Sequence, residues 1–560
     1  MQTERKKTTT ESITQAAITL ASSLSTSLGP RGCDKMIIKD GKPLITNDGA
    51  TILKTLSYYH PINKMLCDLS QTQDKNCGDG TTSVVVLAGS ILRQCSDLIK
   101  KGVHPTVLAK ALDKIKIDCM DYIDKVKISI GDEKFNKEKF DIYLTQPQIG
   151  NIEKKDIDYM NDKSDSFYIK YKDSLLKAVT TSLSSKLIAS SVVEFAPIAV
   201  DACLKVNGKI VDIQVIKKIG GAVEDVRLRK TFVLANNIKN PVIKEKASDD
   251  KFSKKVKFAV LQFGISPPKP NLDYKISLTE SKLVEQIPKQ EREYLLNMCA
   301  KIKKSGAELV ILQKSLLRES ISELGQSYLT RLGVIIIDDI EREDIAKICD
   351  KFNLQPSVDP DYINIGECTI EEKLENEALI TEILSDDACS IVVRGSDQII
   401  TDEAERSLHD AICVVKCLFD DPYLVPGGGA VEAGISQFLV KKSNEFYSNQ
   451  DVLSSKNEHN QNYILYSEKY IYEQISKAFE EIPYMLAQNT GMDPVVQVNF
   501  LTSKIAENPT FGINVRSNTI SCMLDENVVQ PAKVSKSVIS LALETVATII
   551  KIDDILPSKR

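Results

Sequence analysis

The hexapeptide Gly78-Asp79-Gly80-Thr81-Thr82-Ser83 has the residue types of a phosphate cradle. It stands before an apolar stretch of helical period, so its amides would lie at the positive end of a helix dipole, where anions are favoured. The glycines let backbone approach a ligand closely, the hydroxyls donate to phosphate oxygens, and Asp79 could hold Mg²⁺ against them. A tight turn with an N-cap is the competing interpretation, but capping needs one polar residue and three hydroxyl residues follow in succession. Thr46-Asn47-Asp48-Gly49-Ala50-Thr51 opens a second apolar stretch (Ile52, Leu53, Leu56) and by itself reads as an Asp-Gly turn and cap. In Thr26-Ser27-Leu28-Gly29-Pro30-Arg31-Gly32 a helix ends in a Gly-Pro-x-Gly turn whose amides could line an anion concavity, although most such turns are plain helix stops. Pro426-Gly427-Gly428-Gly429-Ala430 spends backbone entropy on three glycines, which implies close approach by a nucleotide or by a neighbouring helix.

Other chemistries find little to stand on. No G-x-x-x-x-G-K-[ST] occurs, so a P-loop is excluded, and the protein-kinase set is missing. The 13 cysteines have neither a disulfide-framework nor a zinc spacing, and Cys413 and Cys417, one helical turn apart, have no second pair. Buried free thiols in a reducing compartment are the expectation. His60, His104, His409 and His459 form no cluster. Asp410 shares a polar helical stripe with Glu403 and Arg406, which on pattern alone reads as a solvated face.

These residues need elements to hold them. Ile13, Ala17, Leu20, Ala21 and Leu24 recur at helical spacing up to the stop at Gly29-Pro30. A second amphipathic helix runs from Thr81 to Lys101, helical pattern continues to about Val126, and it returns from Tyr171 to about Val200. Residues 127–168 and 441–463 are polar and irregular and read as surface insertions. From about 210 to 375 the pattern changes: Ile210–Ile216 alternates like a strand, and the apolar runs Leu309–Leu312 and Val334–Ile337 each follow a helical stretch, as in an α/β domain. Pro267-Pro268-Lys269-Pro270 opens a segment without sheet character, followed by a charged helix over Lys282–Lys304. Strand Ser390–Arg394 leads into a helix over Thr401–Leu418, and the chain is helical again from about Ile464, with a last helix over Val534–Ile550. A helical part, an α/β part and a helical part suit a middle domain inserted into a discontinuous one.

Composition sets the frame. The 560 residues allow three to five domains, at about 100–200 residues each. The chain is 42% hydrophobic and 27% charged, ordinary for a globular protein, and its net charge of −5 with interleaved signs argues against a nucleic-acid binder. The polar Met1–Thr10 has no apolar signal core, and no run of about 18 apolar residues predicts a membrane span. A soluble cytoplasmic protein is expected.

Taken together, the ordered motifs Thr26–Gly32, Thr46–Leu53, Gly78–Ser83, Thr181–Lys186, Gly427–Gly429, Phe511–Val515 and Lys551–Asp554 resemble those of the group II chaperonins, the TCP-1/cpn60 family, from about residue 11 to residue 556, excepting the two insertions. Leu261-Gln262-Phe263, Gln313-Lys314-Ser315, Asp339–Ile345 and Val529-Gln530-Pro531 carry a finer likeness to one paralogue of the eukaryotic cytosolic ring complex.

The resemblance implies a multidomain α and α/β fold with a discontinuous helical equatorial domain (1–148 and 412–560) that holds ATP. It implies a discontinuous, hinge-like intermediate domain (149–219 and 378–411) and an inserted α/β apical domain (220–377) that binds substrate and carries a helical protrusion as a lid. Gly220-Gly221 and Gly395 would fit hinges. By motif, Gly29 and Gly32 would run along the phosphates, Asp79 would ligate Mg²⁺, and Gly80, Thr81, Thr82 and Ser83 would cradle phosphate. Gly428 would approach the ribose, Asn489 the base, and Lys186 would sense the terminal phosphate. Asp48 and Asp410 would be catalytic, orienting the attacking water, with Asp410 swinging in from the intermediate domain. Gln530 stands where many relatives have a carboxylate near the ribose, which weakens a sugar contact and bears on affinity more than on hydrolysis. The implied partners are paralogous subunits in an eight-membered ring, two rings stacked, and incompletely folded client proteins. The alternative is a structural or regulatory ring subunit that holds nucleotide with little turnover. A metabolic enzyme would need a nucleophile–base pair or metal cluster that the sequence does not offer.

Overall fold

The computed structural model describes residues 2–39, 41–56, 60–130, 165–206, 208–229, 231–234, 238–239, 251–267, 281–315, 319–375, 378–384, 389–448 and 458–555. The chain is a mixed α/β protein with two compact units, one formed by residues 1–201 and 403–560, the other by residues 202–402.

The first unit opens with helix α1 (Gln2–Ser25), the antiparallel hairpin β1 (Lys35–Lys39) and β2 (Lys42–Thr46), and helix α2 (Gly49–Thr55). Helices α3 (Pro61–Cys77), α4 (Thr81–Lys100) and α5 (Pro105–Val126) follow, then the short β3 (Ile128–Ser129). α3 and α5 begin alike: a histidine ring nitrogen, of His60 or His104, accepts the N–H two residues on, and a proline stands at the first helical position. Helix α6 (Asp165–Leu183) is followed by a turn and by α7 (Val192–Lys205), along which the chain leaves this unit.

In the second unit, β4 (Ile213–Ile219), β5 (Arg227–Arg229), β6 (Thr231–Leu234) and β7 (Lys251–Leu261) precede helix α8 (Ser281–Ser305). Then come β8 (Leu309–Gln313), α9 (Glu323–Arg331), β9 (Ile335–Ile340), α10 (Arg342–Lys351), β10 (Gly366–Glu375), β11 (Ala378–Leu384) and β12 (Cys389–Gly395). Six strands form one sheet in the order β6-β11-β10-β7-β8-β9, with β7, β8 and β9 parallel and the others antiparallel. Alternation sorts its side chains: Phe258, Ile311 and Ile337 join the face packed with Ile345 and Ile348 of α10. Ala259, Val310 and Ile336 join the face packed with Leu295 and Ile302 of α8. Both faces are covered, which is why these strands read as continuous apolar runs. A second sheet has the order β4-β12-β5.

The chain re-enters the first unit along α11 (Gln398–Asp420) and continues through β13 (Tyr423–Pro426), α12 (Ala430–Ser448), α13 (Glu458–Phe479), α14 (Glu481–Asn489) and α15 (Pro494–Ile505). It ends with β14 (Phe511–Asn514), β15 (Thr519–Cys522), β16 (Val529–Pro531) and α16 (Ala532–Ile550). α4 lies at the heart of this unit, its Val84, Val85, Leu87 and Ile91 packed with Ala17 of α1, Leu66 of α3 and Val546 of α16. It is the one described helix long and apolar enough to cross a bilayer, and its apolar residues are spent on this core.

The structure departs from the periodicity in four places. The stretch 171–200 forms two helices, because Ser184–Ser191 folds into a turn and a short 3₁₀ segment. The strand expected at 210–216 begins at Ile213, after a 3₁₀ turn over Ile210–Asp212. The helical tail is interrupted by the β14–β15 hairpin and by β16, where alternation over a few residues was too short to register as strand. Of the 441–463 stretch, residues 441–448 and 458–463 are helical. Residues 131–164 of the first expected insertion, 268–280 after Pro267, and 449–457 lie outside the described residues.

Candidate nucleotide site

The site belongs wholly to the first unit and begins where helices stop or start. β2 ends at Thr46, and Asp48 caps α2, accepting the N–H groups of Ala50 and Thr51 at 3.3 and 2.9 Å and the Thr51 hydroxyl at 2.7 Å. The Thr81 hydroxyl donates at 2.9 Å to Asp48 Oδ1, the oxygen that also accepts the Ala50 N–H, which ties this cap to the start of α4. α3 stops at Gly78 and α4 starts at Gly80, and both glycines are left-handed (φ +69° and +78°). Any side chain at Gly78 would place its Cβ 2.3 Å from that of Cys413 on α11. The turn between them is braced: Gln73 donates to the Asp79 carbonyl at 2.8 Å and accepts the Ser537 hydroxyl at 2.6 Å. The Gly80 N–H donates to the Asp79 carboxylate at 2.7 Å. No side chain among the described residues caps α4, so the amides of its first turn remain available to an anion.

Gly29, Asp79, Gly80, Thr81, Thr82 and Ser83 line one cavity of about 840 Å³. Lys186, Gly428 and Gln530 line the same cavity. Gly29 is left-handed (φ +85°), and a Cβ there would lie 2.5 Å from Leu486. Gly428 (φ +65°) leaves no room either, since its Cβ would meet Met523 Sδ at 2.7 Å and the Ile513 carbonyl at 2.9 Å. Gln530 donates to the Ser535 hydroxyl at 2.7 Å.

Asp48 and Asp410 do not line the cavity but contact residues that do. Asp410, on α11, pairs with Lys186 at 2.6 Å, both side chains 8% exposed. Lys186 reaches this position because α6 and α7 are separate helices, and the turn that splits them is held by Asn47, whose amide donates to the Ser185 carbonyl. Gly32 and Asn489 also lie outside the lining. The Gly32 N–H closes the turn on the Gly29 carbonyl at 2.9 Å. The Asn489 amide is committed to the carbonyls of Ser25 and Leu28 at 3.0 and 2.9 Å, where it satisfies the end of α1. Asn514, Val515 and Glu432 line the cavity too, and the sequence gives no site role to any of them. Asn514 lies within Phe511–Val515, one of the motifs behind the family resemblance, and Glu432 follows the triple glycine by less than a turn.

The electrostatics follow from one lysine among three carboxylates. Burial raises the Asp48 pKa, but Lys186 and hydrogen bonds from Thr51 and Thr81 outweigh it and hold the group below the usual carboxylate range. Burial works against charge on Lys186, yet Asp410, Asp48 and Asp79 overcome it and keep the ammonium protonated. Burial, with Asp48 and Asp79 nearby, pushes Asp410 well above the usual range despite its pairing with Lys186. The surplus of negative charge favours a cation. Among the described residues no group of three or more His, Cys, Asp or Glu converges on one point. A Mg²⁺ ion would therefore fit Asp79 only with phosphate oxygens completing its shell, the way this ion is usually held beside nucleotides.

A family model described as the TCP-1/cpn60 chaperonin family matches residues 20–145 and 151–560. The chain is 41% identical to T-complex protein 1 subunit delta of Encephalitozoon cuniculi over 100% of both chains. It is 36% identical to the protein of that name in Schizosaccharomyces pombe, over 96% of this chain and 94% of the relative. For the Homo sapiens protein of that name the identity is 34%, over 97% and 93%. The finer likeness drawn from short stretches such as Val529-Gln530-Pro531 is thus to the delta paralogue.

Proposed function

The chain belongs to the TCP-1/cpn60 chaperonin family, and from that premise we propose that it is an ATP-hydrolysing subunit of a cytoplasmic folding chaperonin. One observation carries the reading: the uncapped N-terminus of α4, with Asp79 beside it and Lys186 across the same cavity, is built for a polyphosphate.

In this reading the amides and hydroxyls of Thr81, Thr82 and Ser83 hold the phosphates, and Gly29 lets the first turn run alongside them. Gly428 and Gln530 face the nucleoside, together with Asn514 and Val515. Asn489 acts one step removed, by holding the turn that carries Gly29. Asp79 would hold Mg²⁺, which when bound would supply charge neutralisation on the transferring group. Asp48, kept ionised, and Asp410 orient the attacking water; phosphoryl transfer asks chiefly for such positioning. Lys186 is engaged by Asp410 in this structure, and an arriving terminal phosphate competes for the same ammonium, so that the lysine senses it.

The rest of the proposal follows the family. The division into segments 1–148, 149–219, 220–377, 378–411 and 412–560 gives equatorial, intermediate and apical domains, and ATP-driven hinge motion closes a lid over incompletely folded clients. The partners are paralogous subunits, eight to a ring in two stacked rings. The test is binding of a photoreactive ATP analogue to this chain within its assembly, with and without Mg²⁺, in wild type and Asp79→Asn. Labelling of the chain that needs Mg²⁺ and falls at least tenfold in the variant is expected from a lost metal ligand. Labelling that ignores both would overturn the assignment.

A further inference from the structure

Glu403 lies on α11 seven residues before Asp410, about two helical turns, so the two carboxylates leave the helix on one stripe. They meet different partners. Asp410 pairs with Lys186. Glu403, only 1% exposed, accepts the Thr46 hydroxyl at 3.3 Å on one oxygen and Arg406 at 2.6 Å on the other. The same Thr46 oxygen accepts the backbone N–H of Asp48 at 3.1 Å. Asn47, between them, donates to the Ser185 carbonyl next to Lys186. Three segments therefore close a circuit: α11, the 46–48 turn and the turn that carries Lys186.

We propose that Glu403 is a positioning residue for hydrolysis, which through the Thr46 hydroxyl fixes the Asp48 backbone when α11 is docked, so that Asp48 and Asp410 take their working positions together. A hydroxyl has one proton and two lone pairs. Here the proton goes to Glu403 and a lone pair takes the Asp48 N–H, so Glu403 sets the direction of the contact that Asp48 receives. A fully buried carboxylate is a poor means of stabilising a fold, because its desolvation offsets most of what its partners return. Stability alone would be served by an apolar pair at Thr46 and Glu403. This role rests on the hydrolytic reading above.

The test uses the full-length chain, tagged and purified with its assembly, with ATP turnover measured across ATP concentrations. Asp48→Asn serves as the reference, beside Thr46→Val, Thr46→Ser, Glu403→Gln and the Thr46→Val/Glu403→Gln double variant. Thr46→Val and Glu403→Gln are each expected to lose roughly half or more of the turnover that Asp48→Asn loses, with KM moved less than about threefold. Thr46→Ser, which keeps the hydroxyl, restores turnover. The double variant loses no more than the worse single, because both cut one path. Wild-type turnover in Thr46→Val, or losses that multiply, would overturn the positioning role while leaving the hydrolytic reading intact if Asp48→Asn is impaired. If Asp48→Asn is itself unimpaired, both fall. Loss in Thr46→Val that Thr46→Ser does not rescue counts against the role as well, since it then tracks packing.

Discussion

Lys186 holds together a site that would otherwise repel itself. It is buried with Asp410, and Asp48 and Asp79 add to the field that keeps it charged. Replacing it by Met leaves an uncompensated buried carboxylate, and unfolding of the full-length chain should become easier by about 3–5 kcal/mol, less whatever Asp410 recovers by taking up a proton. Glu432 gives a cleaner titration. Burial alone pushes its pKa up, opposed only by its own backbone N–H. The native state therefore binds this proton more tightly than the unfolded chain, and stability is lost as pH rises from the unfolded towards the folded pKa. Glu432→Gln removes that loss, so melting curves should show the variant gaining on wild type more at pH 7 than at pH 5; an equal gap at both would refute a buried ionising carboxylate. Much of this was legible in sequence. The hexapeptide 78–83 stands out because three hydroxyls exceed the needs of a cap, and its Asp79–Ser83 line the cavity together with Lys186 of the Thr181–Lys186 motif. By motif Asn489 would approach the base; that its amide donates to the Leu28 carbonyl, at a sequence separation of 461, has no local signal. On pattern alone Glu403 belongs to a solvated stripe, yet it is buried, since periodicity cannot tell which face a neighbouring loop covers.

Among the elements, helices with apolar stripes were readable, and breaks without glycine or proline were not. Thr181–Lys186 continues the helical pattern, yet the chain turns at Ser184 and the break delivers the lysine. The strands of the second unit were legible as apolar runs because both sheet faces are covered, while β14–β16, three or four residues each, were too short to show alternation. The junction of α3, α4 and α11 makes its own prediction. Gly78 must be left-handed and must admit Cys413 at close range. Gly78→Val should destabilise the chain by about 2–4 kcal/mol from overpacking and backbone strain and separate α11 from the cradle. Thermal unfolding of the full-length variant checks this; a melting point within a degree of wild type would contradict the packing described.

At the scale of the molecule, the candidate site is confined to one of the two units. The first contains every residue of the candidate site, and the chain leaves it along α7 and returns along α11, the helix that carries Asp410. In the proposed function, motion along α11 would reach the aspartate and would couple nucleotide chemistry to rearrangement of the inserted unit. In the proposed function, Asp48 and Asp410 turn over ATP bound in this chain. The most direct measurement is ATP hydrolysis by the assembly containing this chain as wild type or as Asp48→Asn plus Asp410→Asn, with nucleotide occupancy of the chain read in parallel. Turnover that falls by this chain's whole share while occupancy persists is the predicted result. Unchanged turnover at unchanged occupancy would contradict it and leave a subunit that holds nucleotide without hydrolysing it.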